Sequence, residues 1–338
     1  MKTFIMPLRL FFPAAVFLLI ASLAAAAAET EKTPVKKAGE PRLLYTIING
    51  KSHDQMAWHE DIAKSEAGHL QGPGAVLALT GDLRLFADTL NRRLVLRRAD
   101  TGRVLKVFDL PSSSEVGLRY APLITDLAGA GGDSVYAADE SNMAIWKINL
   151  GKNWIGPAMK VEKLIKLEGK VSQLGRISAD GSGVIYAADL PRQCTVSIDP
   201  DGAVKFVYQG LTNGVPGRDG KLYHPIYYGN SAVRDLEIYD GAGRMVGSLG
   251  RLDFDRPVCY IVPVGFDAGG TLYIYADSER KGPVMARVSG KDKKQTFNEL
   301  KPLSGPGFGP APYWTGRPGS IEWAEYGGGS VKIYRLEL

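Results

Sequence analysis

The sequence predicts an all-β fold: a six-bladed β-propeller of four-stranded antiparallel blades, with the last blade closed by the N-terminal strand. Three observations predict it. A phrase made of a β-prone run, an acidic residue and a second β-prone run recurs as LFADTLNRRLVL, VYAADESNMAIW, IYAADLPRQCTV and LYIYADSERKGPV. Its acidic residue falls at Asp88, Asp139, Asp189 and Asp277, and looser copies place Asn230 and Glu325 in the same slot, so successive spacings are 51, 50, 41, 47 and 48 residues. The second run opens six residues past the slot at Leu94, Ile145, Thr195, Leu236 and Val331, and one residue later at Val284. Short strands at a period of about fifty mark radial repetition. The constant offset describes two strands joined by a constant hairpin.

The chain begins with a stretch that is not part of the repeat. Residues 1–28 read as a cleavable signal peptide: Lys2 and Arg9 give a basic start, LFFPAAVFLLIASL an apolar run, and the alanines after it the small residues that signal peptidase requires. The rival is an uncleaved anchor, because about nineteen uncharged residues just span a bilayer. The alanine-rich end, with no basic stop after it, favours cleavage, and no membrane insertion is then expected. This places the mature protein outside the cytoplasm, secreted or in a bacterial periplasm. Residues 29–41 (ETEKTPVKKAGEP) read as a polar linker, and 42–338 as a single propeller domain.

Within that domain, RLLYTIIN (42–49) is an orphan strand before the first blade, and the sixth copy ends at Leu338 after only three strands. The orphan strand is therefore expected to complete the last blade, which removes an open edge. The turns AspThrGly (100–102), AspProAspGly (199–202) and AspGlyAlaGly (240–243) each separate the second run from another strand. Upstream of the first run, PGAVLALTGD (73–82), GRISADGSG (175–183) and PVGFDAGG (263–270) supply an inner strand closed by a glycine turn. Blade four is irregular: its period is short, and VPGRDGKLYHPIYYG has no obvious inner strand.

Charge excludes some partners. The net charge is +5, and loss of Lys2 and Arg9 with the signal leaves +3. That is too little to imply nucleic acid or an anionic membrane, and no dense Lys/Arg block with interleaved aromatics is present. Only Cys194 and Cys259 occur, about one repeat apart. An oxidising compartment permits a disulfide, but bridging needs Cα atoms within about 7 Å, so a pair of buried thiols stays open beside it. Their spacing matches no zinc set, and there is no haem-attachment motif.

The repeat resembles the NHL-repeat family of six-bladed propellers. The pattern of proline, strand, glycine turn, strand ending Ala-Asp, then Asn and Arg is fullest in PGAVLALTGDLRLFADTLNRR, with Pro73, Asp88, Asn91 and Arg93 in the matching slots. PVGFDAGGTLYIYAD, from Pro263 to Asp277, repeats the first half, and the resemblance covers about residues 70–338. It implies the fold. Members of the family include extracellular binding and scaffold modules, and related six-bladed rings include lyases and lactonases that hold a metal near the central channel.

The recurrent acids Asp88, Asp139, Asp189, Asp277 and Glu325 read as structural, each accepting hydrogen bonds from backbone N–H groups of its own hairpin. Copies spread around a ring cannot converge on one ion. Histidine is scarce. HisAspGlnMetAlaTrpHisGlu (53–60) matches no closed zinc site and reads as a polar, partly mobile approach loop. His69 stands just before the first inner strand, at the expected channel mouth, and His224 could face it only if blade four's inner strand is short. A calcium site of Asp126, Asp255 and Asp267 is a further option, although Asp126 and Asp267 both read as turn residues. No GxSxG elbow or P-loop appears. The loops entering each inner strand share one face of a propeller and carry function. There the candidate binding residues are His69, Arg119, Tyr120, Asp255, Arg256, Tyr313, Trp314 and Arg317, rich in the aromatic and Arg anchors of interfaces.

The expectation is an exported ligand- or protein-binding scaffold of the cell envelope, without catalysis and with no predicted cofactor. Its partner would be an envelope or periplasmic protein or a small ligand. The alternative is a metal-dependent lactonase, hydrolase or lyase at the channel mouth, with calcium as a possible ion.

Overall fold

The computed structural model describes residues 34–57, 74–154, 159–226, 231–278, 281–301, 313–315, 317–327 and 329–338. The signal segment, His59, His69 and Asn230 lie outside the described residues. Two strands precede the first blade: β1 (Val35–Lys37) and β2 (Arg42–Ile48). Blade one is β3 (Ala75–Thr80), β4 (Leu83–Asp88), β5 (Arg93–Arg98) and β6 (Val104–Asp109). Blade two is β7 (Ile124–Gly129), β8 (Ser134–Asp139), β9 (Ala144–Asn149) and β10 (Lys160–Lys166). Blade three is β11 (Ile177–Ala179), β12 (Ile185–Asp189), β13 (Cys194–Ile198) and β14 (Val204–Gln209).

Blade four is β15 (Val215–Pro216), β16 (Leu222–Ile226), β17 (Ser231–Tyr239) and β18 (Met245–Val258). Its inner strand is only two residues long, and β17 starts well before the position the repeat offset gives. Blade five is β19 (Tyr260–Phe266), β20 (Thr271–Asp277), β21 (Val284–Ser289) and β22 (Gln295–Glu299), and blade six is β23 (Tyr313–Thr315), β24 (Ser320–Gly327) and β25 (Ser330–Glu337) with β2 outermost. Each inner strand touches the next, and β23 touches β3, so the ring closes. The segment read as a linker is not wholly solvent: β1 pairs in parallel with β22, as a fifth strand on blade five.

The strand burial follows from blade stacking. All residues of β8 and β12 are buried, because the second strand of a blade has a neighbouring blade on each face. Both are runs of Val/Ile, Tyr and Ala, the composition expected of strands covered on two sides. Outer strands such as β14 keep exposed residues. Glycine turns set the blade spacing. At Gly102 (φ +67) an added Cβ would lie 2.4 Å from the Tyr45 ring of β2, and at Gly243 (φ +72) 2.0 Å from the Phe206 ring of β14. These glycines are needed both for the left-handed backbone and for the close approach to the preceding blade's outer strand.

The acidic slots are tied differently from expectation. Asp139 accepts from the Leu123 backbone N–H (3.0 Å), Asp189 from Ser172 N–H (2.7 Å) and Asp88 from Ala57 N–H (3.0 Å). The donors belong to the incoming connection, 16 to 31 residues upstream, rather than to the acid's own hairpin. The hairpin contributes side chains instead: Asn91 and Arg93 to Asp88, and Asn142 and Trp146 to Asp139. The carboxylate thus joins a hairpin to the chain arriving from the previous blade. Asp277 does accept from its own hairpin's backbone, the Ser278 N–H (2.8 Å), and Glu325 receives the Trp323 indole N–H at 3.3 Å.

The stretch 50–57 is held rather than loose. Arg93 donates to the carbonyls of Lys51, Ser52 and Gln55, and Arg97 to that of Asp54. Met56 is fully buried, while His53 is exposed. Cys194, buried in β13, and Cys259 are not joined to each other, and the Cys259 thiol faces the Asp277 carbonyl.

The seam between blades six and one carries a buried ion cluster. Glu322 on β24 accepts from Arg84 Nε and Nη2 (2.7 and 2.8 Å), Arg335 Nη2 (2.7 Å) and the Trp314 indole N–H (2.8 Å). Arg84 and Glu322 are fully buried and Arg335 nearly so. The two guanidinium groups hold the Glu322 carboxyl below the usual carboxylate range despite burial. Glu322→Ala would leave two buried cations without their anion, a change that destabilises by about 3–5 kcal/mol. Arg317→Ala removes the exposed Arg317–Asp82 pair and a 3.3 Å bond to the Gly81 carbonyl across the same seam and should shift stability by less than about 1 kcal/mol. Urea denaturation of the two variants checks this contrast.

Candidate functional site

The six inner strands enclose a channel with a cavity of about 410 Å³, within the usual size range of small-molecule sites. Most of its wall is small and apolar, from Ala75–Ala78, Leu127–Gly129 and Val264–Phe266. Four charged residues also line it: Asp126, Arg176, Asp180 and Arg218. Asp126 is the third residue of β7, and Arg176 immediately precedes β11.

Arg176 reaches from blade three to blade five. Its Nη1 donates to the Pro263 carbonyl and its Nη2 to the Val264 carbonyl at 2.7 Å. Two local features make this reach possible. The inner strand of blade four is only Val215–Pro216, so little backbone stands between the two blades. The pairing of β19 with β20 also slips between Pro263 and Gly265, a bulge that takes carbonyls out of the ladder. Burial pulls the Arg176 guanidinium below its usual range, and Asp126 opposes that pull.

Asp126 accepts from the backbone N–H of Leu127 (2.9 Å) and, across the blade boundary, of Ile177 (2.7 Å). Its carboxyl is only partly covered, because one side opens on the lumen. Protein nevertheless surrounds it. Burial is the largest influence and pushes it up to about 6, against the pull of Arg176 and the two N–H donors. Asp126 thus offers the lumen a carboxyl pushed up to about 6, and Arg176 a guanidinium anchored to backbone, beside Asp180 and Arg218 of the same wall.

The sequence candidates are scattered. Tyr313 and Trp314 do line the channel, but as buried residues of β23 rather than loop residues. Arg119 and Tyr120 lie in the loop entering blade two, with the guanidinium 5.0 Å from the ring centre and Tyr120 exposed. Asp255 and Arg256 are on β18, not on a loop. They pair with each other, and the buried Arg256 also bonds Glu299 and the Lys281 carbonyl, joining blades four and five. Arg317 follows β23, at the end of the channel opposite the inner-strand entries, where it bonds Asp82 and the Gly81 carbonyl. These residues do not form one cluster. His224 lies on β16 and is not among the described residues lining the channel; it is buried, its Nδ1 has no partner among the described residues, and burial pushes it down to about 4.

Asp267 is a turn residue as expected, its Oδ1 accepting from Gly269 and Thr271 N–H. Asp126 is not: the glycines that suggested a turn come after β7 ends, and the acid sits inside the strand. Arg176 was not singled out in the sequence. Its one signal is a lone cation at the entry to an otherwise apolar inner strand.

No protein-family model matches the sequence, and no curated protein sequence matches it. Among solved structures, the chain is similar to the PQQ-bound form of an aldose sugar dehydrogenase from Streptomyces coelicolor, at 14% identity and a TM-score of 0.50, covering 90% of this chain and 99% of that one. It is also similar to a streptogramin B lyase, at 14% identity and a TM-score of 0.48, with 81% and 84% covered. A nidogen/laminin complex gives 18% identity and 0.45, with 74% and 84% covered. These similar structures are β-propellers. At such identities the likeness speaks to fold alone.

The two buried titrating groups act on stability in opposite directions. A raised acid pKa means that Asp126 contributes stability present below about 4 and lost as pH rises through about 6. A depressed histidine pKa means that His224 contributes stability present above about 6.5 and lost as pH falls through about 4. The two largely mask each other in the wild type. Asp126→Asn should make stability fall more steeply on acidification, and His224→Phe should make it rise, as read from melting temperature between pH 4 and 7.

Proposed function

We propose that this chain is an exported, NHL-like binding propeller of the cell envelope that takes a small polar solute in its channel, without chemistry of its own. The observation that carries this reading is Asp126 and Arg176 set among the small apolar residues of the channel wall, with Asp180 and Arg218 lining the same cavity. A carboxyl and a guanidinium facing a small cavity suit a ligand with a donor at one end and an anionic or acceptor group at the other, such as a zwitterion or a hydroxy acid. Among the described residues, no three His, Cys, Asp or Glu converge as a metal cage would require. Export, cleavage of the signal and the absence of nucleic-acid partners belong to the same proposal and rest on the sequence.

A second reading has one observation in its favour. A carboxyl near 6 is poised for general acid–base work at neutral pH, so a lactonase- or lyase-like hydrolytic site would centre on Asp126. Isothermal titration of the purified mature protein with a panel of amino acids, hydroxy acids and sugars separates the two. The binding reading expects a saturable ligand recovered unchanged, with affinity lost about tenfold or more in Arg176→Ala, as for a charge-assisted contact. Turnover of a lactone or ester that disappears on chelation and in Asp126→Asn would overturn it.

A further inference from the structure

A second cavity lies away from the channel. It has a volume of about 350 Å³ and sits where the chain crosses from blade five to blade six. The crossing is forced by topology. β1 is bonded to β22 of blade five, and β2, only five residues later, to β25 of blade six. Ala38–Pro41 must therefore span the cleft between the two blades as a strap. Blade edges diverge away from the ring centre, so the strap roofs a space instead of packing into it.

The walls and rim of this space differ in chemistry. Leu300, Tyr313, Trp323 and Leu336 form the walls, each no more than 5% exposed to solvent. Lys37, Lys281 and Lys301 stand at the rim. Lys301 is engaged, holding Glu40 of the strap at 2.9 Å, and the rim acid Glu299 is taken by Arg256 at 3.0 Å. Lys37 and Lys281 have no salt bridge among the described residues. Lys37 and Lys281 do exert a charge effect on Glu40 and Asp255, but an apolar pocket of ligand size beneath two ammonium groups without a salt bridge fits an apolar tail with an anionic head.

We propose that the cleft under the strap is a binding site for a single-chain amphiphile with a carboxylate head, a free fatty acid of medium length. The tail lies along Leu300, Trp323 and Leu336, and the head meets Lys37 and Lys281 at the rim. Burying the tail supplies most of the affinity, while the lysines set its orientation. Tyr313 also lines the central channel, so it forms a shared wall between this site and the lumen.

The walls supply their own reporter. Bromine quenches indole fluorescence only at short range, so 11-bromoundecanoic acid, below its aggregation concentration, probes the cleft through Trp323. Saturable quenching is expected, and Trp323→Phe should abolish it. Lys37→Gln with Lys281→Gln should weaken binding about five- to tenfold, the scale of two partly exposed charge contacts. Three outcomes overturn the proposal: no saturable quenching in the wild type, quenching that persists in Trp323→Phe, or quenching by vesicles carrying brominated lipid with none by the free acid.

Discussion

Glu322, held between Arg84 and Arg335 in the dry seam of blades six and one, is the interaction on which the ring depends. A propeller is a chain of blades that must meet its own beginning. Here the meeting joins residues more than two hundred positions apart, with Arg84 on β4 and Glu322 on β24. The cluster does not stand alone. β2 completes blade six, its Tyr45 presses on Gly102 of blade one, and Phe86, Val95, Ile333 and Trp314 share one apolar cluster across the seam. A buried ion cluster adds little net stability over an apolar core, but its partners cannot be separated cheaply. It therefore makes the closed register strongly preferred over any slipped one.

The irregular blade shapes the interior. Blade four has the shortest inner strand and the longest outer hairpin, β17 with β18. Its missing inner wall is what Arg176 crosses, and the bulge in β19 provides the carbonyls that receive it. The reach of Arg176 across the lumen is thus a consequence of where the repeat breaks. Asp126, for its part, ties blade two to blade three through Ile177 N–H, so its position is fixed by the frame while its second face stays open to the channel.

Much of the fold was legible because it is periodic. The acidic slot, the six-residue offset and the turns at 100–102, 199–202 and 240–243 fall on strand ends and hairpins, and the orphan strand 42–49 closes the last blade. The candidate site was far less legible. Aromatic and Arg residues near predicted strand entries look like surface anchors in one dimension, yet Tyr313, Trp314 and Arg256 are buried in strands. Bulges decide which side chains and carbonyls enter a lumen, and a one-residue slip leaves no compositional trace. Asp126 shows the reverse error: glycines after a strand drew an interior carboxyl into the turn. The partners of the acidic slots were misjudged for a related reason, since the donors come from connections whose path no local pattern specifies.

The most direct test of ring closure is native-state hydrogen exchange, followed by mass spectrometry on peptides covering β2, β25 and β4. If the seam locks the ring, all three should exchange through one common opening, with the same free energy and the same denaturant dependence. Early exchange of β2 and β25, with β4 still protected at the global level, would contradict the account, because the ring would then stand without its closing strand.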